Sequence, residues 1–351
     1  MIGETVGGYR IVSRLGVGNA GDVFLGEHAS VGSRVAIKIL HPADPQLVHR
    51  YLRDVQAASR VGHAGTVKVS DTGAPAGGRA FVVMELLQGE TLAVRIARTG
   101  RLSVTQIAEL GRQIATVLAA IHDENLVHRD LRPEKIVIVR DSGLATSERI
   151  KLLPGTSGLL GPTHPRAIAY LAPETWRDPA TADWRVDIYA LGCLLFEMAC
   201  GRQAFTGATA DEVRDRHLGP TIPTARSHMP DVPPALDALI ARLIAKHVEQ
   251  RPKSMRELAR ELDGLGGSAR PLAPTYQDTP VLVAGELHAP TLPPGPPIET
   301  RGETRGETRG KARRQVRKDS QVPARSRLSF AVPVGVALVV GGVLAIVLAT
   351  R

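Results

Sequence analysis

The apolar period of this chain changes once, near Thr91, and that change dictates the order in which its parts are built. From Tyr9 to about Leu40, the stretches YRIVSRL, GDVFLGEH and SRVAIKIL are short, rich in β-branched residues and separated by Gly-rich turns, as strands are. A helix follows: in PQLVHRYLRDVQAASRV the apolar residues Leu47, Val48, Tyr51, Leu52 and Val55 recur at helical spacing, and Pro45 stands where a first turn tolerates it. FVVMELL at 81–87 reads as one more strand. Beyond Thr91, VTQIAELGRQIATVLAAIHDEN and DIYALGCLLFEMACG carry the strongest helical periods. The pattern predicts an α+β protein, a small strand-rich lobe followed by a larger helical one.

The composition changes again after about Leu265. Residues 266–300 are rich in Gly and Pro, and GETRGETRG at 302–310 is a short repeat, so 264–327 reads as a flexible linker with a basic end. Arg327 and Arg351 bracket 23 uncharged residues, 328–350, and a helix of about 20 apolar residues spans a bilayer core. Positive charge just before this run places the preceding domain on the cytoplasmic side of a cell membrane, as a single-pass protein. Ala337, Gly341, Ala345 and Ala349 recur every fourth residue, a stripe along which two copies would pack as a homodimer. The chain has a net charge of +9, of which +7 lies between Arg301 and Arg327. With a nearly neutral main domain and few aromatic residues, a nucleic-acid partner is set aside. Cys193 and Cys200 are separated by roughly 10.5 Å of helix, too far to bridge, which together with a polar N-terminus fits a reducing compartment.

Gly16, Gly18, Gly21 and Val23 form a glycine-rich phosphate loop between two strands. Val35-Ala36-Ile37-Lys38 lies on the next strand, His128-Arg129-Asp130 follows, and Ala172-Pro173-Glu174 comes later. The four together, in this order, resemble the protein kinases, above all the bacterial eukaryotic-like serine/threonine kinases with a membrane span. The resemblance covers about residues 8–263 and implies a bilobal kinase-like fold that binds ATP. It implies that Lys38 contacts the α- and β-phosphates and pairs with Asp54 on the following helix. Val23, Ala36 and Val137 would sandwich the adenine, with Met84, Glu85 and Leu87 on the hinge beside it. Asp130, with Arg132 and Lys135 in the same loop, stands where the family keeps its catalytic base. Glu174 with Arg251 would form a buried ion pair, and Asp187 would hold the catalytic loop from behind.

The departures concern the metal. Where the family has a magnesium-binding asparagine, this chain has Lys135, and where Asp-Phe-Gly should end the next strand it has Pro154-Gly155-Thr156. No aspartate occurs between Ser142 and Arg177, so both protein ligands of magnesium are missing. Ala167 replaces the substrate-loop threonine. Two unit charges about 4 Å apart interact by roughly 4 kcal/mol at an effective dielectric of 20, and each 1.36 kcal/mol is about a factor of ten in rate. Several orders of magnitude of activity should be lost. Lys135 has two readings, a solvated lysine left after metal binding was lost, or a cation that replaces magnesium beside ATP. Asp130 also has two, a proton acceptor or a residue that orients its loop. The chain reads as a pseudokinase that holds a protein partner or substrate, such as another kinase, at the membrane. The alternatives are a weakly active serine/threonine kinase with an atypical metal site and a structural anchor that binds no nucleotide.

Overall fold

A computed structural model describes residues 1–75, 78–141, 143–144, 147–155, 165–179 and 182–265; the uncharged run 328–350 and nearly all of the linker lie outside them. Among the described residues, no helix is long and apolar enough to cross a membrane. Strands β1 (Thr5–Val6), β2 (Tyr9–Gly16), β3 (Gly21–His28), β4 (Arg34–Leu40), β5 (Val69–Gly73) and β6 (Phe81–Glu85) form one antiparallel sheet in the order β1-β2-β3-β4-β6-β5. The two-residue period of β4 sorts its side chains. Val35, Ile37 and Ile39 join Ile11, Phe24, Phe81 and Val83 in one apolar cluster, while Leu40 joins Val82 and Met84 in another.

Helix α1 (Pro45–Ser59) starts at Asp44, whose carboxylate accepts the Gln46 and Leu47 N–H groups at 2.7 and 3.4 Å. Its buried face, Val48, Tyr51, Leu52 and Val55, completes the Leu40 and Met84 cluster. Leu47, which belongs to the apolar stripe in sequence, is 40 % exposed, because one residue before Val48 the helix has turned about 100° away from the sheet.

A second sheet, in the order β7-β8-β9, pairs β7 (Gly89–Thr91), β8 (Ile136–Arg140) and β9 (Glu148–Leu152). Around it stand α2 (Leu92–Thr99), α3 (Val104–Asp123), α4 (Pro165–Ile168), α5 (Pro173–Arg177), α6 (Arg185–Cys200), α7 (Ala210–Leu218), α8 (Ala225–His228), α9 (Pro234–Leu243) and α10 (Met255–Leu265). The fully buried Arg95 of α2 bonds Glu90 of β7 and takes Glu148 of β9 at 3.0 and 3.3 Å, which fastens the root of β9 to α2. Helix α6 is buried on every side from Val186 to Phe196, which explains its lack of a polar face. Cys193 and Cys200 on it are free thiols.

Helix α9 crosses α6 at Gly192, where an added Cβ would lie 2.6 Å from Leu243 Cβ and 2.7 Å from Ile244 Cγ2. Gly192→Ala should therefore lower stability by about 1–3 kcal/mol, read from the denaturant midpoint, by forcing these helices apart. An unchanged midpoint would contradict the close crossing.

His217 of α7 is fully buried, with Nδ1 2.8 Å from the Tyr189 hydroxyl of α6. Burial, then the charge of Lys246, pulls its imidazole down to about 3. Because the folded value is depressed, the unfolded chain binds the proton first, and stability should fall as pH drops from about 6.5 towards 3, by up to about 1.4 kcal/mol per pH unit. Melting curves of His217→Gln should show a shallower acid limb than those of the parent.

Candidate functional site

The strand register assembles the nucleotide wall. Val23 stands opposite Lys38 and Leu25 opposite Ala36 between β3 and β4, and Ala36 stands opposite Met84 between β4 and β6. Ala36 and Lys38, two residues apart, therefore share a sheet face with Val23 and Met84. Gly16 ends β2 and Gly21 begins β3, with the Gly18 carbonyl accepting the Gly21 N–H at 3.3 Å. From below, Val137 of β8 enters the same apolar cluster as Met84 and Leu87. All five apolar wall residues, Val23, Ala36, Met84, Leu87 and Val137, are buried. Apolar walls beside a lysine and a glycine turn fit the adenine and phosphates of a nucleotide. Glu85 turns its side chain elsewhere: its Oε1 accepts the Lys68 N–H at 2.8 Å and pairs with Lys151 Nζ of β9 at 2.7 Å.

The catalytic loop follows α3 and ends in a short turn, Pro133–Lys135. Asp187 at the start of α6 braces it, accepting the His128 N–H at 2.9 Å and the Arg129 N–H at 2.8 Å, with His122 Nε2 at 2.8 Å. Burial raises the Asp187 carboxyl, but the His122 hydrogen bond and the charges and N–H groups around it outweigh that and hold it below the usual range. His128 Nδ1 accepts the Asp130 N–H at 3.3 Å, so Nε2 carries the proton and donates to the Leu153 carbonyl at 2.9 Å. The loop is thereby tied to the residue before Pro154.

The Asp130 carboxylate faces two cations. Arg132 Nε donates to Oδ1 at 3.0 Å, and Lys135 Nζ lies 3.4 Å from Oδ2. Glu134 Oε2 lies 3.6 Å from Arg132 Nη1, and all four side chains are at most 6 % exposed. Lys135 is not a solvated lysine: the Pro133–Lys135 turn folds it back under its own loop. Glu134 carries no signal of its burial in the sequence, where it is simply the acid in PEK.

Lys38 and Asp54 are not brought together. Asp54 is exposed and, among the described residues, has no hydrogen bond or ion pair, because the apolar stripe of α1 turns Tyr51 inward in its place. The buried Tyr51 phenol is pushed well above its ordinary range by burial and then by the charge of Asp130. Its apolar spacing announced a core residue, and no signal in the sequence placed it near the catalytic loop. A cavity of about 490 Å³, bordered by Arg50, Tyr51, Asp54, Asp130, Gly155 and Tyr170, opens between α1 and this loop.

Gly155, where the family pattern has phenylalanine, leaves no gap at this point. An added Cβ would lie 2.4 Å from the His128 carbonyl oxygen and 3.2 Å from Asp130 Cβ, so backbone meets backbone. In the helical lobe, Arg251 grips Glu174 with both terminal nitrogens at 2.6 and 2.9 Å and donates Nε to the Ala245 carbonyl.

A strand-rich lobe with a glycine turn and a lysine, joined to a helical lobe with a braced His-Arg-Asp loop, is the architecture of phosphoryl-transfer proteins. The protein kinase domain matches residues 9–261, and the chain belongs to that family. It is 32 % identical over 273 residues to the serine/threonine-protein kinase PrkC of Bacillus subtilis (strain 168), covering 75 % of this chain and 41 % of that protein. It is 34 % identical over 269 residues to the serine/threonine-protein kinase Pkn1 of Myxococcus xanthus, covering 73 % and 38 %. The chain thus spans about two fifths of the length of these curated relatives. The crystal structure of the PknI kinase domain of Mycobacterium tuberculosis superposes with a TM-score of 0.62 at 26 % identity, covering 76 % of this chain and 99 % of that one. The resemblance to the bacterial eukaryotic-like serine/threonine kinases and the bilobal fold are borne out.

Gly155→Ala should displace the turn after β9 from the catalytic loop and lower stability by about 1–3 kcal/mol. Thermal unfolding checks this, and a variant as stable as the parent would contradict the close approach.

Proposed function

We propose that the protein is a nucleotide-binding pseudokinase, tethered to the cytoplasmic face of a cell membrane by residues 328–350, that presents its kinase fold to a protein partner. One observation carries the loss of transfer: both oxygens of Asp130 face cations, Arg132 at 3.0 Å and Lys135 at 3.4 Å. A carboxylate must turn an oxygen towards a substrate hydroxyl to accept its proton, and here that means leaving a buried charge-assisted contact. Asp54 is exposed, so it does not stand where the helix acid of active kinases does. ATP is the nucleotide implied by the family, with the walls and Lys38 as its contacts. The adenine would lie between Val23, Ala36 and Val137, and Lys38 would carry charge to the phosphates.

Magnesium does not fit. An ammonium and a proline ring stand at the two positions where the family supplies oxygen donors, and magnesium demands oxygen ligands.

The membrane tether rests on the uncharged run and the basic residues before it, and self-association on the small-residue stripe within it. A partner kinase or its substrate is the class of protein that a kinase surface without transfer activity would hold.

A second reading, a weak serine/threonine kinase, is favoured by the intact brace of Asp187 on the loop that carries Asp130. Radiolabelled phosphate transfer from ATP to a generic protein substrate separates the two. The purified chain should give no signal above that of Lys38→Met, and transfer abolished by that substitution would establish the enzyme.

A further inference from the structure

We infer that Lys135 is a built-in counter-ion, through which the cleft takes an adenine nucleotide without a divalent metal. The inference rests on the nucleotide-binding reading above and specifies the ionic form that the cleft accepts. Three observations converge on it.

The first is the donor set. Lys135 and Pro154 offer no side-chain oxygen where kinases place an asparagine and an aspartate, and magnesium takes oxygen ligands.

The second is charge. Exchanging asparagine for lysine and aspartate for proline makes the site two charges more positive, which is the charge of one magnesium ion. The side chains thus supply the charge that a metal would otherwise bring to the phosphates.

The third is position. Lys135 is held inside the protein at the catalytic loop, with Nζ 3.4 Å from Asp130 Oδ2 and its side chain only 6 % exposed. That contact is long beside the 2.7–2.9 Å typical of charge-assisted hydrogen bonds, and shorter contacts are the stronger ones. An ammonium desolvated at the catalytic loop gains from a ligand that carries more negative charge than one carboxylate. Its flexible four-carbon stem lets Nζ swing from Asp130 to a phosphate oxygen while its backbone stays in the Pro133–Lys135 turn. Metal-free ATP then meets Lys38 from β4 and Lys135 from the loop. Asp130 competes with the phosphate for Lys135.

The test is calorimetric titration of ATP into the full chain in detergent, once with EDTA and once with excess magnesium, with melting temperature as a second readout. Affinity in EDTA should equal or exceed that with magnesium, since metal neutralises the charge that Lys135 recognises. Lys135→Gln should weaken binding in EDTA by about tenfold or more, and Asp130→Asn, which removes the competitor, should strengthen it a few-fold. The double substitution Lys135→Asn with Pro154→Asp should reverse the preference, so that ATP binds more tightly with magnesium. Binding that requires magnesium in the parent overturns the inference and leaves the nucleotide-binding reading standing. Absence of binding in both conditions overturns both. Equal affinity of Lys135→Gln and the parent in EDTA, or no gain in Asp130→Asn, also refutes it, and the second variant keeps the question open to decision even where the first does not fold.

Discussion

The buried carboxylate of Asp187 is the interaction on which the rest of this site depends. It is fully enclosed and would be costly to hold as an anion, yet two backbone N–H groups of the catalytic loop and the His122 imidazole converge on it. Such a cluster has one good arrangement. It sets the backbone of His128 and Arg129, and so the direction in which Asp130 leaves the loop. His128 then passes the constraint on to the Leu153 carbonyl, one residue before the altered Pro154-Gly155 turn. The brace that active kinases use to aim a base here aims a carboxylate at two cations.

Much of the fold was legible because its elements obey simple periods. β2, β3 and β4 alternate, α3 repeats every three to four residues, and α6 is apolar throughout because it runs through the middle of the helical lobe. β5 escaped notice. VSDTG has no apolar alternation, and its strand character comes from pairing with β6 at the sheet edge. β1 is two residues long and equally silent.

At the site, glycines, Lys38 and Asp130 were recognisable by spacing, and the wall residues share a sheet face because strand register is periodic. What spacing did not convey was rotation. Asp54 and Tyr51 are three residues apart on α1, and which of them faces inward depends on how the apolar stripe seats against Leu40 and Val82. Lys135 was visible as a departure, but its burial depends on a turn that folds it against Asp130, a tertiary fact with no local signature. Gly155 was legible only as a lost phenyl ring, although the backbone has closed over the place where the ring would start.

That closure bears on what position 155 can hold. Where a turn packs only against side chains, a larger residue is taken up by changes of rotamer. Here the carbonyl of His128 lies where a side chain would begin, so any residue larger than glycine at position 155 must arrive with a shift of the surrounding main chain. The geometry works as a latch: the two segments can lie this close only while position 155 carries no side chain.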